Sequence, residues 1–167
     1  MKKYRLVLLF AYLGTSTFMT AQEMNPKNLS RIISKVSDTA ITTGNTIRFA
    51  YKERPLICVY DENANRMRII SPIVETKDLE EKHLLNALVA NFHSALDVKY
   101  ALSDEVMWAV FIHPLQELSE HQVIEAIRQV HTASVTFGST YSSTNLVFPG
   151  NTKKIDSIQP KKLINRG

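Results

Sequence analysis

Along this chain the spacing of apolar residues changes several times, and each change marks an element. After Asn25 the period is helical: Leu29, Ile32, Ile33, Val36 and Ala40 recur every three to four residues, which lines one face of an α-helix. Asn25 offers a capping side chain, Pro26 suits the first helical position, and Gly44-Asn45 marks the expected stop. Period two then takes over. Thr46 to Tyr51 puts Ile47 and Phe49 on one face, Leu56 to Tyr60 is almost continuously apolar, and Arg66 to Ile73 sets Met67 and Ile69 opposite Arg68 and Ile70. The polar stretches Lys52 to Pro55 and Asp61 to Asn65 separate these runs. Connections this short predict an antiparallel meander of three strands.

The helical period returns after Asp78 and Glu81, which have the spacing of a capping box. Leu84, Leu85, Leu88, Val89, Phe92 and Leu96 form a wide apolar face, and Ala87, Ala90 and Ala95 keep the helix slim. That width suits two neighbours, the sheet and a further helix or subunit. A fourth strand spans Val98 to Leu102, Ser103-Asp104-Glu105 is a tight turn, and a fifth strand spans Val106 to His113. Val106, Trp108, Val110 and Ile112 take one face of the fifth strand, and Met107, Ala109, Phe111 and His113 the other. Two apolar faces predict a central strand or one covered by a partner. Ser119 with Gln122 forms a second capping box, opening a helix that carries Val123, Ile124, Ile127 and Val130 and stops at Gly138. The predicted order is α-β-β-β-α-β-β-α: an α+β fold with an antiparallel sheet of about five strands and three helices packed mainly on one face.

The two ends have a different character. Lys2, Lys3 and Arg5 precede the apolar run Leu6 to Leu13, and Gly14 to Ala21 is small and polar. This is the layout of a secretory signal peptide over residues 1–21, and the apolar run falls well short of the roughly 20 residues that span a bilayer. The mature domain, residues 22–137, is therefore expected in the periplasm or secreted, with no stable membrane span. Residues 138–167 read as a polar, basic tail that is disordered on its own. Leu146-Val147-Phe148 is its one apolar patch, able to dock back on the domain.

Composition narrows the function. The formal charge is +4. Three basic residues fall in the signal, leaving 17 basic against 16 acidic, which is not a nucleic-acid-binding balance. The tail holds Lys153, Lys154, Lys161, Lys162 and Arg166 against Asp156 alone. The single cysteine, Cys58, permits no internal disulfide and no lipid anchor at the processed end, and its apolar surroundings mark it as a buried strand residue.

Motifs for chemistry are missing. There is no Gly-x-Gly, P-loop, Gly-x-Ser-x-Gly, His-Glu-x-x-His or cysteine pair. Glu117, His121 and Glu125 stand at four-residue steps, but Glu117 precedes the helix cap, and acids at a helix start are explained by its dipole. No catalytic residue, cofactor site or metal site is expected.

Residues 84–130 carry a resemblance. A long helix with Asn86 and Asn91, the hairpin Lys99 to Asp104, the apolar strand Val106 to Leu115 and the Ser119 to Gln122 cap are similar to the second half of the YbjN and type III secretion chaperone-like families. Leu56 to Ile73 matches the first half in order and length, so the resemblance covers about residues 29–137. It implies a compact, usually dimeric domain that binds other polypeptides without turnover. Those chaperones are cytoplasmic, whereas this chain carries an export signal.

The leading expectation is an exported, non-enzymatic, chaperone-like protein-binding domain acting as a homodimer with protein partners. Leu85, Val89, Phe92, Met107, Trp108 and Phe111 are its candidate contact residues, each also readable as core. The alternative is a small-ligand or metal-binding carrier or enzyme, with a pocket between sheet and helices that uses His113 or His93.

Overall fold

The computed structural model describes residues 23–146. The signal peptide read over 1–21 and the tail beyond Leu146 lie outside the described residues. The elements are α1 (Pro26–Val36), β1 (Thr39–Thr43), β2 (Thr46–Tyr51), β3 (Arg54–Asp61), β4 (Arg66–Glu75), α2 (Glu81–His93), β5 (Lys99–Ser103), β6 (Val106–His113) and α3 (Glu120–Thr136). The fold is α+β, with three helices and one antiparallel sheet of six strands in the order β1-β2-β3-β4-β6-β5.

The extra strand is β1. Its sequence, Thr-Ala-Ile-Thr-Thr, lies where the apolar spacing carries the first helix on to Ala40. The helix instead ends at Val36, because Ser37 takes an extended backbone and its N–H bonds back to the Ile33 carbonyl. β-Branched threonines lose rotamer freedom in a helix and fit a pleated strand. Gly44 then reverses the chain at φ +57° in a two-residue turn, with Thr43 paired to Thr46. Gly44-Asn45 thus closes a hairpin and does not end a helix.

Helix starts follow local chemistry. Asn25 Oδ1 accepts from Asn28 N at 3.0 Å, and Ser119 and Gln122 form the complete reciprocal capping box. The Asp78–Glu81 box does not form. Asp78 belongs to a 3-10 turn, Thr76–Asp78, and Leu79 N bonds to the Thr76 carbonyl, so α2 starts from Glu80 without a side-chain cap.

The core lies between one face of the sheet and the pair α1 and α3. α1 packs on β1 and β2, and α3 on β4, β6 and α1. Leu29, Ile33, Ile47, Ile69, Ile127 and Val130 are fully buried there, each contributing about 1.5–3 kcal/mol by leaving water. β6 lies inside the sheet between β4 and β5, as its two apolar faces predict.

The chain does not leave the domain at Gly138, where composition places the start of the polar tail. Tyr141 and Ser143 are buried. Ser94 Oγ donates to the Tyr141 carbonyl at 2.7 Å, Ser143 N donates to the Ser94 carbonyl at 3.1 Å, and the Tyr141 hydroxyl bonds His83 Nδ1. The Tyr141 ring joins Phe137, Tyr100 and His83 in an aromatic cluster. Polar composition hides this segment because its hydroxyls and backbone find partners in the domain.

Candidate functional site

α2 is placed unlike the other helices. It packs at β5, the edge of the sheet, and its buried residues are the small ones, Ala87 and Ala90. Alanines allow a close approach to the sheet edge, Leu84 packs against the core, and Leu85, Leu88 and Phe92 are left facing out. Leu85 is 49%, Leu88 65% and Phe92 81% exposed, a ridge at i, i+3 and i+7. Val89 is half-buried. The wide apolar face is therefore divided: Leu84 turns to the core, and the helix presents Leu85, Leu88 and Phe92 to solvent.

A second apolar surface is the open face of the sheet, opposite α1 and α3. Its alternation follows from the register: Met107, Ala109 and Phe111 of β6 point into the core, so Trp108, Val110 and Ile112 point away. Directly paired residues carry this face across all six strands, in the row Ile41, Arg48, Ile57, Ile70, Val110 and Lys99. Trp108 Nε1 donates to the Ser103 carbonyl at 3.1 Å, which holds the indole across β5.

The six candidate contact residues thus separate. Leu85, Val89 and Phe92 share α2, Trp108 lies on the open sheet face, and Met107 and Phe111 are core, 2% and 6% exposed. Met107 and Phe111 are corrected as contact residues, because β6 turns its odd-numbered side chains toward the helices. Leu88, the middle of the α2 ridge, is readable from its spacing to Leu85 and Phe92.

Between β6 and α3 runs a cleft of about 300 Å³, lined by Asp97, Phe111, His113, Leu118, Glu125 and Gln129 among others. His113 Nδ1 lies 2.8 Å from the Pro114 carbonyl. A carbonyl only accepts, so Nδ1 is the ring nitrogen that donates here. The His113 ring stacks on Phe111 at an interplanar angle of 2°. His93 is not among the residues of the cleft. No hydroxyl or thiol lines it beside the histidine, so the arrangement can hold a cation or a polar group but contains no activated nucleophile.

The other acid and histidine candidates disperse. Glu117 accepts from Asn65 Nδ2 at 3.0 and 3.2 Å, and Glu125 pairs with Arg128 at 2.6 Å, so Glu117, His121 and Glu125 do not converge. Among the described residues no group of three or more His, Cys, Asp or Glu could hold a metal ion, and no helix is long and apolar enough to cross a membrane. Burial pushes the Cys58 thiol up to about 12 and the Tyr100 phenol up to about 12. Lys82 beside Glu80, and Arg31 and Lys35 beside Glu120, lower those two carboxyl pKa values on the open surface.

No family model matches the chain, and no curated protein matches it. Among solved structures it is similar to a chain of the HopA1–SchA chaperone–effector complex, with a TM-score of 0.54 and 15% sequence identity, covering 66% of this chain and 91% of that chain. At this identity the likeness is one of fold: the α+β arrangement read from residues 29–137 is shared with a chain of that chaperone–effector complex.

Proposed function

We propose that this chain is an exported, non-enzymatic protein-binding domain that works as a homodimer in the periplasm or outside the cell. The observation that carries the reading is the α2 ridge of Leu85, Leu88 and Phe92, which no other part of the described chain covers. Apolar surface of this kind marks a protein contact. A helix ridge meeting its own copy about a two-fold axis buries the same residues on both sides, the simplest closed assembly. The open sheet face, with Trp108 and Ile112, remains available to a client polypeptide in that dimer. The chaperone-like fold supports protein binding over turnover, and the layout of residues 1–21 supports export.

The test is the mass of purified protein by light scattering, with and without Phe92→Asp. The wild type should be a dimer, and the variant a folded monomer with an unchanged circular dichroism spectrum. A wild type that stays monomeric at every concentration, or a variant that dimerises equally well, overturns the assignment of α2. A second reading, a small-ligand carrier, draws on the cleft beside His113. It requires a bound metabolite or metal in native mass spectrometry, and bare polypeptide there rejects it.

A further inference from the structure

We infer that the cleft between β6 and α3 is the docking site of the chain's own C-terminal segment, with Val147-Phe148 on its apolar wall and Lys153-Lys154 against its carboxylates. Three observations converge on this occupant. The first is where the described chain ends. Gln129, a wall of the cleft and itself buried, uses both ends of its amide: Nε2 donates to Asp97 Oδ2 at 3.2 Å, and Oε1 accepts from Ser143 Oγ at 3.3 Å. One side chain therefore ties the last buried residue of the described chain to an acid of the cleft. The segment after Leu146 starts a few residues from that wall.

The second is composition. The cleft joins an apolar side, Phe111 and Leu118, to the carboxylates of Asp97 and Glu125. No cationic side chain among the described residues pairs with Asp97, and Glu125 is engaged by Arg128 through Oε1. The chain beyond Leu146 has the matching order: Val147-Phe148, the Pro149-Gly150 break, then Lys153-Lys154. The third is reach. An extended chain spans about 3.3–3.6 Å per residue, so Phe148 lies within some 18 Å of Ser143 and Lys153 within about 36 Å, enough to fold back over the adjacent cleft. Exposed ion pairs contribute only about 0.2–1 kcal/mol each, but a short tether gives an effective concentration on the order of millimolar, at which weak contacts suffice.

The interaction is independent of the dimer reading, since it uses neither α2 nor the open sheet face. Zero-length carbodiimide crosslinking of protein with residues 147–167 intact, followed by peptide mass spectrometry, tests it. Lys153 or Lys154 should join Asp97 or Glu125 within one chain, as shown by mixing isotopically light and heavy protein, and 1 M salt should abolish the link by shortening the screening length to about 3 Å. Asp97→Asn with Glu125→Gln should remove the link while the circular dichroism spectrum is unchanged. Lysines that join Glu75, Asp104 and Glu105 as often as the cleft acids, links only between chains, or no link at all, each overturn the proposal. As a second readout, removing residues 147–167 should shift the amide resonances of Phe111 and Gln129, and an unshifted spectrum also overturns it.

Discussion

The Asn91 side chain pairs with the backbone of Tyr100 as a neighbouring strand would: Nδ2 donates to the Tyr100 carbonyl at 3.1 Å, and Oδ1 accepts from the Tyr100 N–H at 2.7 Å. β5 is an edge strand, and an unpaired edge invites association with another chain. Asn91 closes part of that edge and fixes α2 beside it. Lys99 Nζ adds bonds to the Asn91 and Leu96 carbonyls at the end of the helix.

Asn91→Ala should therefore cost about 1–3 kcal/mol, two hydrogen bonds at about 0.5–1.5 kcal/mol each. Urea unfolding monitored at Trp108 measures it. A loss under about 0.5 kcal/mol, less than one such bond, would show that water or a neighbour replaces the amide at no cost.

Phe111 and Phe92 should respond oppositely to the same change. Phe111 is 6% exposed and points from β6 into the core, so Phe111→Asp buries an unpaired carboxylate and leaves a void, and the domain should fail to fold. Phe92→Asp should still fold, its thermal midpoint lowered only by the loss of the dimer contact. Circular dichroism melts of the two variants separate core from surface.

Two hairpins place non-glycine residues in left-handed backbone. Lys52 and Glu53 have φ of 50° and 65°, and Asp104 and Glu105 have 49° and 60°. Each pair is a two-residue loop, between Tyr51 and Arg54 and between Ser103 and Val106. Such loops favour Asn-Gly because a Cβ disfavours this region by roughly 1–2 kcal/mol per residue. Replacing Asp104-Glu105 by Asn-Gly should raise the urea midpoint, with a gain of about 1 kcal/mol. An unchanged midpoint would mean that the present residues make compensating contacts.

His131 gives the fold a pH dependence. Burial holds its pKa below the ordinary value, and Lys52 and Arg54 lower it further. The folded state thus binds this proton less readily than the unfolded chain. The stabilisation is complete above about pH 6.5, the unfolded value, and is lost as pH falls below it toward the lower folded value. Thermal midpoints should decline as the pH is lowered from about 7 to about 5.5, across the unfolded value, and His131→Gln should flatten that part of the profile.

Cys58 is fully buried and its thiol is pushed up to about 12 by that burial. A thiol-specific reagent at about pH 8 should react only as fast as the domain opens, and at the ordinary rate in concentrated guanidinium. Rapid labelling of the native protein would show that β3 opens locally.

Much of the fold is legible in the chain because it depends on local rules. The Asn25 and Ser119 caps, the bounds of β6 and, β1 apart, the α-β-β-β-α-β-β-α order need only side-chain spacing and turn residues. β1 is concealed because Ala40 and Ile41 extend the α1 period, and only pairing with β2 favours the extended form. The same limit applies to burial. Periodicity marks Leu85, Leu88 and Phe92 as one apolar face of α2, but which face meets the sheet depends on how closely the helix can approach β5. The alanines allow the closer contact, and Asn91 fixes it. Asp97, Gln129 and Ser143 stand far apart in the chain, and nothing in their spacing joins them. Only the packing of α3 beside the loop after α2 brings an amide, a carboxylate and a hydroxyl into one cleft wall, because long-range contacts are selected by the whole core and not by any local period.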